Sequence, residues 1–302
     1  MESLEGKGNN LHSFDISAYQ PSSQKVDQAG SSKEMKVGIL PVRGAITKYD
    51  VECGPRGTKS MIRSLTQFER DPECGAVLLD IDSGGGEAAG TSEFAQTIRS
   101  FSKPIIAFVD GTAASAAYWI ASAADEIIVN QKTDLVGSIG TLISFFDVKG
   151  VWEKKGAKFH EIYASLSTDK NSYFREALKG NYEPIRTQLL DPFNESFHNA
   201  ILSYRNIDLK KENVLTGKVY MAEKAIKVGL IDSINNRKYA INRAFELAHQ
   251  KQSPSNSTHM SEENNNETLV QNFMNQIKNL FPKKVEGSEI SLEDQFKAAT
   301  PT

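Results

Sequence analysis

The chain has 302 residues, of which 39% are hydrophobic and 24% charged, enough for one or two soluble globular domains with a substantial core. Its 35 Lys and Arg against 38 Asp and Glu give a formal net charge of -3, so no basic surplus is available to neutralise a phosphate backbone or an anionic bilayer, and nucleic-acid and membrane-surface binding are disfavoured. Cys53 and Cys74 form neither a Cys-x-x-Cys pair nor a Cys/His ligand spacing, which argues against a disulfide scaffold and structural zinc and fits a reducing cytoplasm.

Residues 1–34, rich in Ser, Gln, Asn and Gly, have the composition of a flexible arm. The opening MESLEGKGNNLHSFDIS has neither the basic start nor the apolar stretch of a signal peptide or anchor. The longest weakly polar run, Gly111 to Ala124, is too short to span a bilayer, which needs about 20 apolar residues.

From Met35 the texture changes. The β-rich runs KVGILPV, AVLLDID, PIIAFVD and EIIVN alternate with segments of helical apolar spacing, such as Phe94, Ile98 and Phe101. Nearly continuous apolar runs are expected of parallel strands covered on both faces, so the predicted class is α/β with a mainly parallel sheet. A helix is predicted over about 181–204, with Ile185, Leu189, Phe193, Phe197 and Ile201 four apart and a kink at Pro192. AEKAIKVGLIDSI and a helix of roughly 237–249 close the 35–249 domain.

Residues 250–268, KQSPSNSTHMSEENNNET and its edges, read as a disordered linker. In the 269–302 segment, Leu269, Phe273, Ile277 and Leu280 line one face of an amphipathic helix before Pro282, suited to docking on its own domain or on a partner.

Two segments carry candidate chemistry. In AVLLDIDSGGGEAAG a buried strand runs into Ser83, Gly84, Gly85 and Gly86 at a strand-to-helix turn, where exposed backbone N–H groups make an anion or oxyanion site. The same glycines formally fit G-x-G-x-x-A, and with Asp110 at the end of the next strand they leave a dinucleotide-binding oxidoreductase open. In DGTAASAAYWIASAAD, Ser115 stands at a helix start between Ala113, Ala114, Ala116 and Ala117, where a substrate backbone can approach closely. The N–H groups of Gly85 and Ala116 would then face the oxygen of an attacked carbonyl. Equally, the alanines could serve only to pack the helix tightly. Asp80 and Asp82 read as polar ends of a core strand.

A serine nucleophile needs a base, either His with a carboxylate or a Lys kept neutral by burial. Of the five histidines, His12 and His259 lie in the predicted arms, and none of His160, His198 and His249 follows VGSIG closely.

Over residues 36–234 the sequence resembles the serine peptidase family of signal peptide peptidase A and the phage head-maturation (capsid assembly) proteases, within the Clp/crotonase-like superfamily. The resemblance rests on IDSGGG, GTAASAAYWIASAAD, VGSIGTL and GKVYMAEKAIKVGLID, in that order, with Gly84 where the family usually has Pro. It implies a Clp/crotonase-like fold with ββα-type units, an endopeptidase with a Ser-Lys dyad and no metal or nucleotide cofactor. Ser115 would be the nucleophile, and Gly85 and Ala116 the oxyanion hole. Lys170, in the loop after a strand reading KFHEIYA, would be the base, although an alignment on Asp169, Asn171 and Tyr173 puts Ser167 at that position.

The resemblance also implies a homo-oligomer in which serine and lysine can come from neighbouring subunits. The substrates would be scaffold and capsid proteins in a phage-infected cytoplasm or prohead, or else cleaved signal peptides. A catalytically dead assembly protein is the further alternative if Lys170 is misplaced.

Overall fold

The computed structural model describes residues 35–252. The predicted arm 1–34, the 250–268 linker beyond residue 252 and the 269–302 helix and tail lie outside the described residues. The elements run β1 (Lys36–Arg43), α1 (Thr58–Arg70), β2 (Cys74–Ser83), α2 (Thr91–Arg99), β3 (Ile105–Ala114), α3 (Ala116–Ser122), β4 (Glu126–Val129) and β5 (Leu135–Gly137). They continue through α4 (Lys149–Lys154), α5 (Ser172–Leu178), α6 (Glu183–Ile185), a π-helical turn at Arg186–Leu190, α7 (Asp191–Tyr204), β6 (Val219–Met221), α8 (Ala222–Lys227), β7 (Ser233–Ile234) and α9 (Arg237–Gln252).

The sheet is seven-stranded, with the order β1-β2-β3-β4-β7 along its main path, all parallel. The α/β class expected from the sequence is the one found. Alternation along β2 explains its two covered faces. Val77, Leu79 and Ile81 point into the core shared with α1, α2, α3 and α7, whereas Ala76 and Leu78 meet Ala240, Ile241 and Ala244 of α9. Each such Leu or Ile side chain taken from water contributes about 1.5–3 kcal/mol.

Asp80 shares the α9 face, only 5% exposed. A carboxylate there needs cationic partners, and Arg43 and Arg237 supply them at 2.5 and 2.6 Å.

β3 does two jobs. Ile106–Val109 pairs with β4, while Thr112–Ala114 pairs with β5, which in turn pairs antiparallel with β6. Between the halves Gly111 adopts φ +117, and the register against β2 shifts between Ile81 and Ser83. The strand thereby turns away from the main path and carries its C-terminal end, Ala114, under the site.

The predicted 181–204 helix runs without a break from Glu183 to Tyr204, with a π turn at Arg186–Leu190 just ahead of Pro192, which has no N–H to give. Phe193 is consequently 45% exposed, and Phe197 and Ile201 carry the buried face. A strict spacing of four drifts about 40° per step on a helix of 3.6 residues per turn, so those five apolar residues could not share one face. KFHEIYA, expected as a strand, forms none: Lys158–Ile162 is exposed and unpaired in the single chain. α9 extends three residues past the predicted end at 249, to Gln252.

Candidate active site

Ser115 links β3 directly to α3 with φ +53 and ψ −123, a conformation costly for any residue with a β-carbon. Its N–H donates to the Gly137 carbonyl at 2.8 Å, and its carbonyl accepts from Trp119 N–H at 3.0 Å. The side chain is half-buried, and among the described residues no hydrogen bond engages its hydroxyl. All seven residues of α3 are buried, so the helix is packed on every side. Its alanines therefore pack closely while also leaving the space over Ser115 unobstructed by bulk.

Gly85 meets this corner from the turn that follows β2. With φ +103, a β-carbon on it would lie 2.7 Å from the Ser115 β-carbon and 3.1 Å from the Ala116 nitrogen. Only glycine permits that approach. Ser115, Gly85 and Ala116 are therefore neighbours, although they come from the turn after β2 and the junction of β3 with α3.

The glycine turn differs from its sequence reading in one respect. It does not open directly into a helix: α2 starts at Thr91, after Gly90 in the left-handed region. Instead, Ile46 N–H donates to the Gly85 carbonyl at 3.0 Å and Glu87 N–H to the Ile46 carbonyl at 2.8 Å, which fastens Gly86 alongside Ile46. A phosphate cradle at a helix N-terminus is thus not built at Gly84–Gly86. Asp110, the expected ribose ligand, accepts from the Asn130 amide at 2.7 Å and lies 3.8 Å from Arg237. Gly84 has no atom within 4 Å of a would-be β-carbon, so a side chain would fit there.

Ser83 is a participant that sequence reasoning quoted but gave no role. Its hydroxyl donates to the Gly44 carbonyl at 2.6 Å and accepts from the Gly85 N–H at 3.1 Å, fixing the turn beneath Ser115. Its place in IDSGGG was the available signal.

The segments of the closing motif brace the same corner. Gly217 N–H donates to the Ile139 carbonyl at 2.9 Å, and Ser138 N–H to the Lys218 carbonyl at 2.8 Å. Tyr220 pairs with Val136, and Asp232 accepts from Ile127 N–H and two Arg205 nitrogens. The Tyr118 hydroxyl, buried in α3, donates to the Leu230 carbonyl at 2.8 Å. Burial pushes this phenol well above its ordinary value, so it remains a donor.

Lys170 stands apart. It is exposed, in a turn whose Thr168 and Lys170 carbonyls accept from Arg175, and no hydrogen bond joins it to Ser115 among the described residues. Ser167, at the position favoured by the alternative alignment, is in the same turn and half-buried. Among the described residues no group of three His, Cys, Asp or Glu side chains is placed to hold a metal ion, and no helix is long and apolar enough to cross a membrane.

The chain is 29% identical over 190 residues to the Methanocaldococcus jannaschii protease-named protein MJ0651, covering 62% of this chain and 60% of that one. It is 29% identical over 211 residues to head-tail preconnector protein GP5 of Enterobacteria phage P21, covering 68% and 42%. With capsid assembly protease C of Escherichia phage lambda the identity is 27% over 250 residues, covering 80% and 56%. The chain thus spans between 42% and 60% of the length of these relatives. A family model described as peptidase family S49 matches residues 97–251, a stretch that runs from the end of α2 through Ser115 and the closing motif to α9. By that match over half its length, the chain belongs to peptidase family S49.

Proposed function

We propose that the chain is a serine endopeptidase in which Ser115 is the nucleophile and Lys170 the base. The observation that carries the reading is the strained, positive-φ backbone of Ser115 at the start of α3, set against Gly85 so closely that a β-carbon there would lie 2.7 Å from its own. Strain of this kind persists only where surrounding structure enforces it.

In the proposed reaction the Ser115 oxygen bonds to the scissile carbonyl carbon while Lys170, neutral at that moment, takes the hydroxyl proton. The oxyanion is held by the Ala116 and Gly85 N–H groups. Gly85 N–H is engaged by Ser83 at 3.1 Å, a long contact with a neutral acceptor, and a charged oxygen makes the shorter and stronger bond. Lys170 then gives its proton to the leaving amine as the C–N bond breaks, and water releases the acyl group by the reverse path. The reaction so written needs no metal or nucleotide.

Lys170 comes, in this reading, from a neighbouring subunit of a homo-oligomer. Support lies in the segment that carries it. Phe146, Ile162 and Leu166 are 94%, 95% and 98% exposed, and a hollow of about 460 Å³ is lined by Phe146, Trp152, Phe159 and Leu178. So much apolar surface in one segment marks a surface to be covered.

The substrates we propose are scaffold or capsid proteins processed in the cytoplasm of a phage-infected cell or within a prohead, which rests on the two phage relatives. Degradation of cleaved signal peptides is the second reading, supported by 27% identity over 180 residues to an Enterococcus faecium protein named as a signal peptide peptidase.

The test is labelling by a serine-directed fluorophosphonate, with Ser115→Ala as the control, followed by mass spectrometry of co-expressed head proteins and of a signal peptide. Labelling and cleavage lost in Ser115→Ala support the reading. Labelling retained in that variant overturns the assignment.

A further inference from the structure

β3 reaches Ser115 through a bulge. Ile81 pairs with Val109 and Ser83 with Ala113, so Asp82 alone on β2 stands opposite Asp110, Gly111 and Thr112 on β3. A bulge bends its strand and re-aims the side chains beyond it. Here the residues that follow are Thr112, Ala113 and Ala114, which pair with β5, and then Ser115, whose N–H is held by the Gly137 carbonyl at 2.8 Å. The direction in which Ser115 leaves the sheet is therefore set within the bulge.

Extra backbone in a bulge lacks its regular ladder partner, and other groups must satisfy it. On the β2 side a side chain does so, because Thr112 N–H donates to Asp82 Oδ1 at 3.2 Å. Gly111 lies against the same carboxylate. A β-carbon on it would sit 2.6 Å from Asp82 Oδ1 and 3.0 Å from Cγ, and its φ of +117 is one that residues with a β-carbon rarely adopt. On the β4 side, the Asn130 side-chain amide donates to Asp110 Oδ1 at 2.7 Å and the Asn130 N–H to the Val109 carbonyl at 2.8 Å. Both neighbouring strands thus grip the bulge from their C-terminal ends.

The two aspartates of β2 have different partners. Asp80 has its carboxylate taken by Arg43 and Arg237 at 2.5 and 2.6 Å. The Asp82 carboxylate, exposed at the strand end, instead meets backbone, and a charged acceptor strengthens such a bond.

We propose that Asp82 is a positioning residue for the nucleophile: its carboxylate clamps the Asp110–Thr112 bulge, with Asn130 as the opposing clamp, and so fixes Ser115 against the glycine turn. This rests on the peptidase reading above. Asp82 takes no part in bond making. Its effect is geometric, and misplacing a reacting atom by about 1 Å can lower a rate by about a hundredfold. Substrate binding elsewhere on the chain does not depend on that alignment, so the loss falls on kcat and not on KM.

The experiment measures fluorophosphonate labelling rates, and kcat and KM on a peptide ester per labelled site, for full-length wild type, Asp82→Asn, Asp82→Ala and Asn130→Ala. Asp82→Asn keeps an acceptor oxygen and should hold kcat within about threefold, while Asp82→Ala loses about tenfold in kcat and in labelling rate with KM nearly unchanged. Asn130→Ala should lower kcat in the same manner, by about fivefold. An Asp82→Ala variant with wild-type kcat, an Asn variant as slow as Ala, or a change confined to KM would overturn the role of Asp82 and leave the peptidase reading standing. Wild type that is not labelled at all would overturn both together. If circular dichroism shows Asp82→Ala unfolded, Asn130→Ala decides: a wild-type kcat there overturns the clamp, and a slower kcat at unchanged KM supports it.

Discussion

A β-carbon on Gly85 would stand 2.7 Å from the β-carbon of Ser115 and 2.8 Å from the Ala114 carbonyl oxygen. Both atoms belong to the rigid junction of β3 and α3, so neither can yield cheaply. Gly85→Ala must therefore displace the glycine turn and strain a backbone at φ +103, at a cost of about 1–3 kcal/mol for the strain alone. The expected result is a folded protein, by circular dichroism, whose fluorophosphonate labelling is at least about a hundredfold slower, in line with losing one oxyanion donor. Gly84→Pro, at a position with open space, should keep activity within a few-fold.

The base is tested by exchange within one exposed segment. Lys170→Met should remove turnover as fully as Ser115→Ala, while Lys158→Met and Lys179→Met leave it. Loss in Lys158→Met or Lys179→Met with activity kept in Lys170→Met would show that the proton goes elsewhere. Mixing inactive Ser115→Ala with inactive Lys170→Met should restore part of the activity if the two groups come from different subunits.

Ile162 and Leu166, almost wholly exposed in the single chain, should be covered in the assembly. Changing both to Glu is expected to shift sedimentation toward the monomer and to abolish peptide-ester hydrolysis at the same time. An active monomer would contradict a base supplied by a neighbour.

Tyr118→Phe removes the donor to the Leu230 carbonyl without changing packing volume. Urea unfolding should show a loss of about 1–3 kcal/mol, the range for leaving a buried acceptor unpaired. Because burial pushes the phenol's ionisation to higher pH, the difference between wild type and Tyr118→Phe should stay constant from pH 7 to pH 9.

Residues that act through periodicity or local bulk were legible in the sequence. Val77, Leu78 and Leu79 announced a strand covered on both faces, and the alanines around Ser115 announced a closely approached helix start. Each of these follows from the chemistry of a few adjacent residues, and the order of the four motifs was enough to suggest the family to which residues 97–251 were then matched. The tertiary structure decided what depends on partners distant in sequence. It put Gly85 against Ser115, held the glycine turn beside Ile46 instead of at a helix N-terminus, and paired Asp80 with Arg43 and Arg237. Spacing records which residues share a face. It does not record which distant backbone a face will meet, because that is set by how the whole sheet and its covering helices pack.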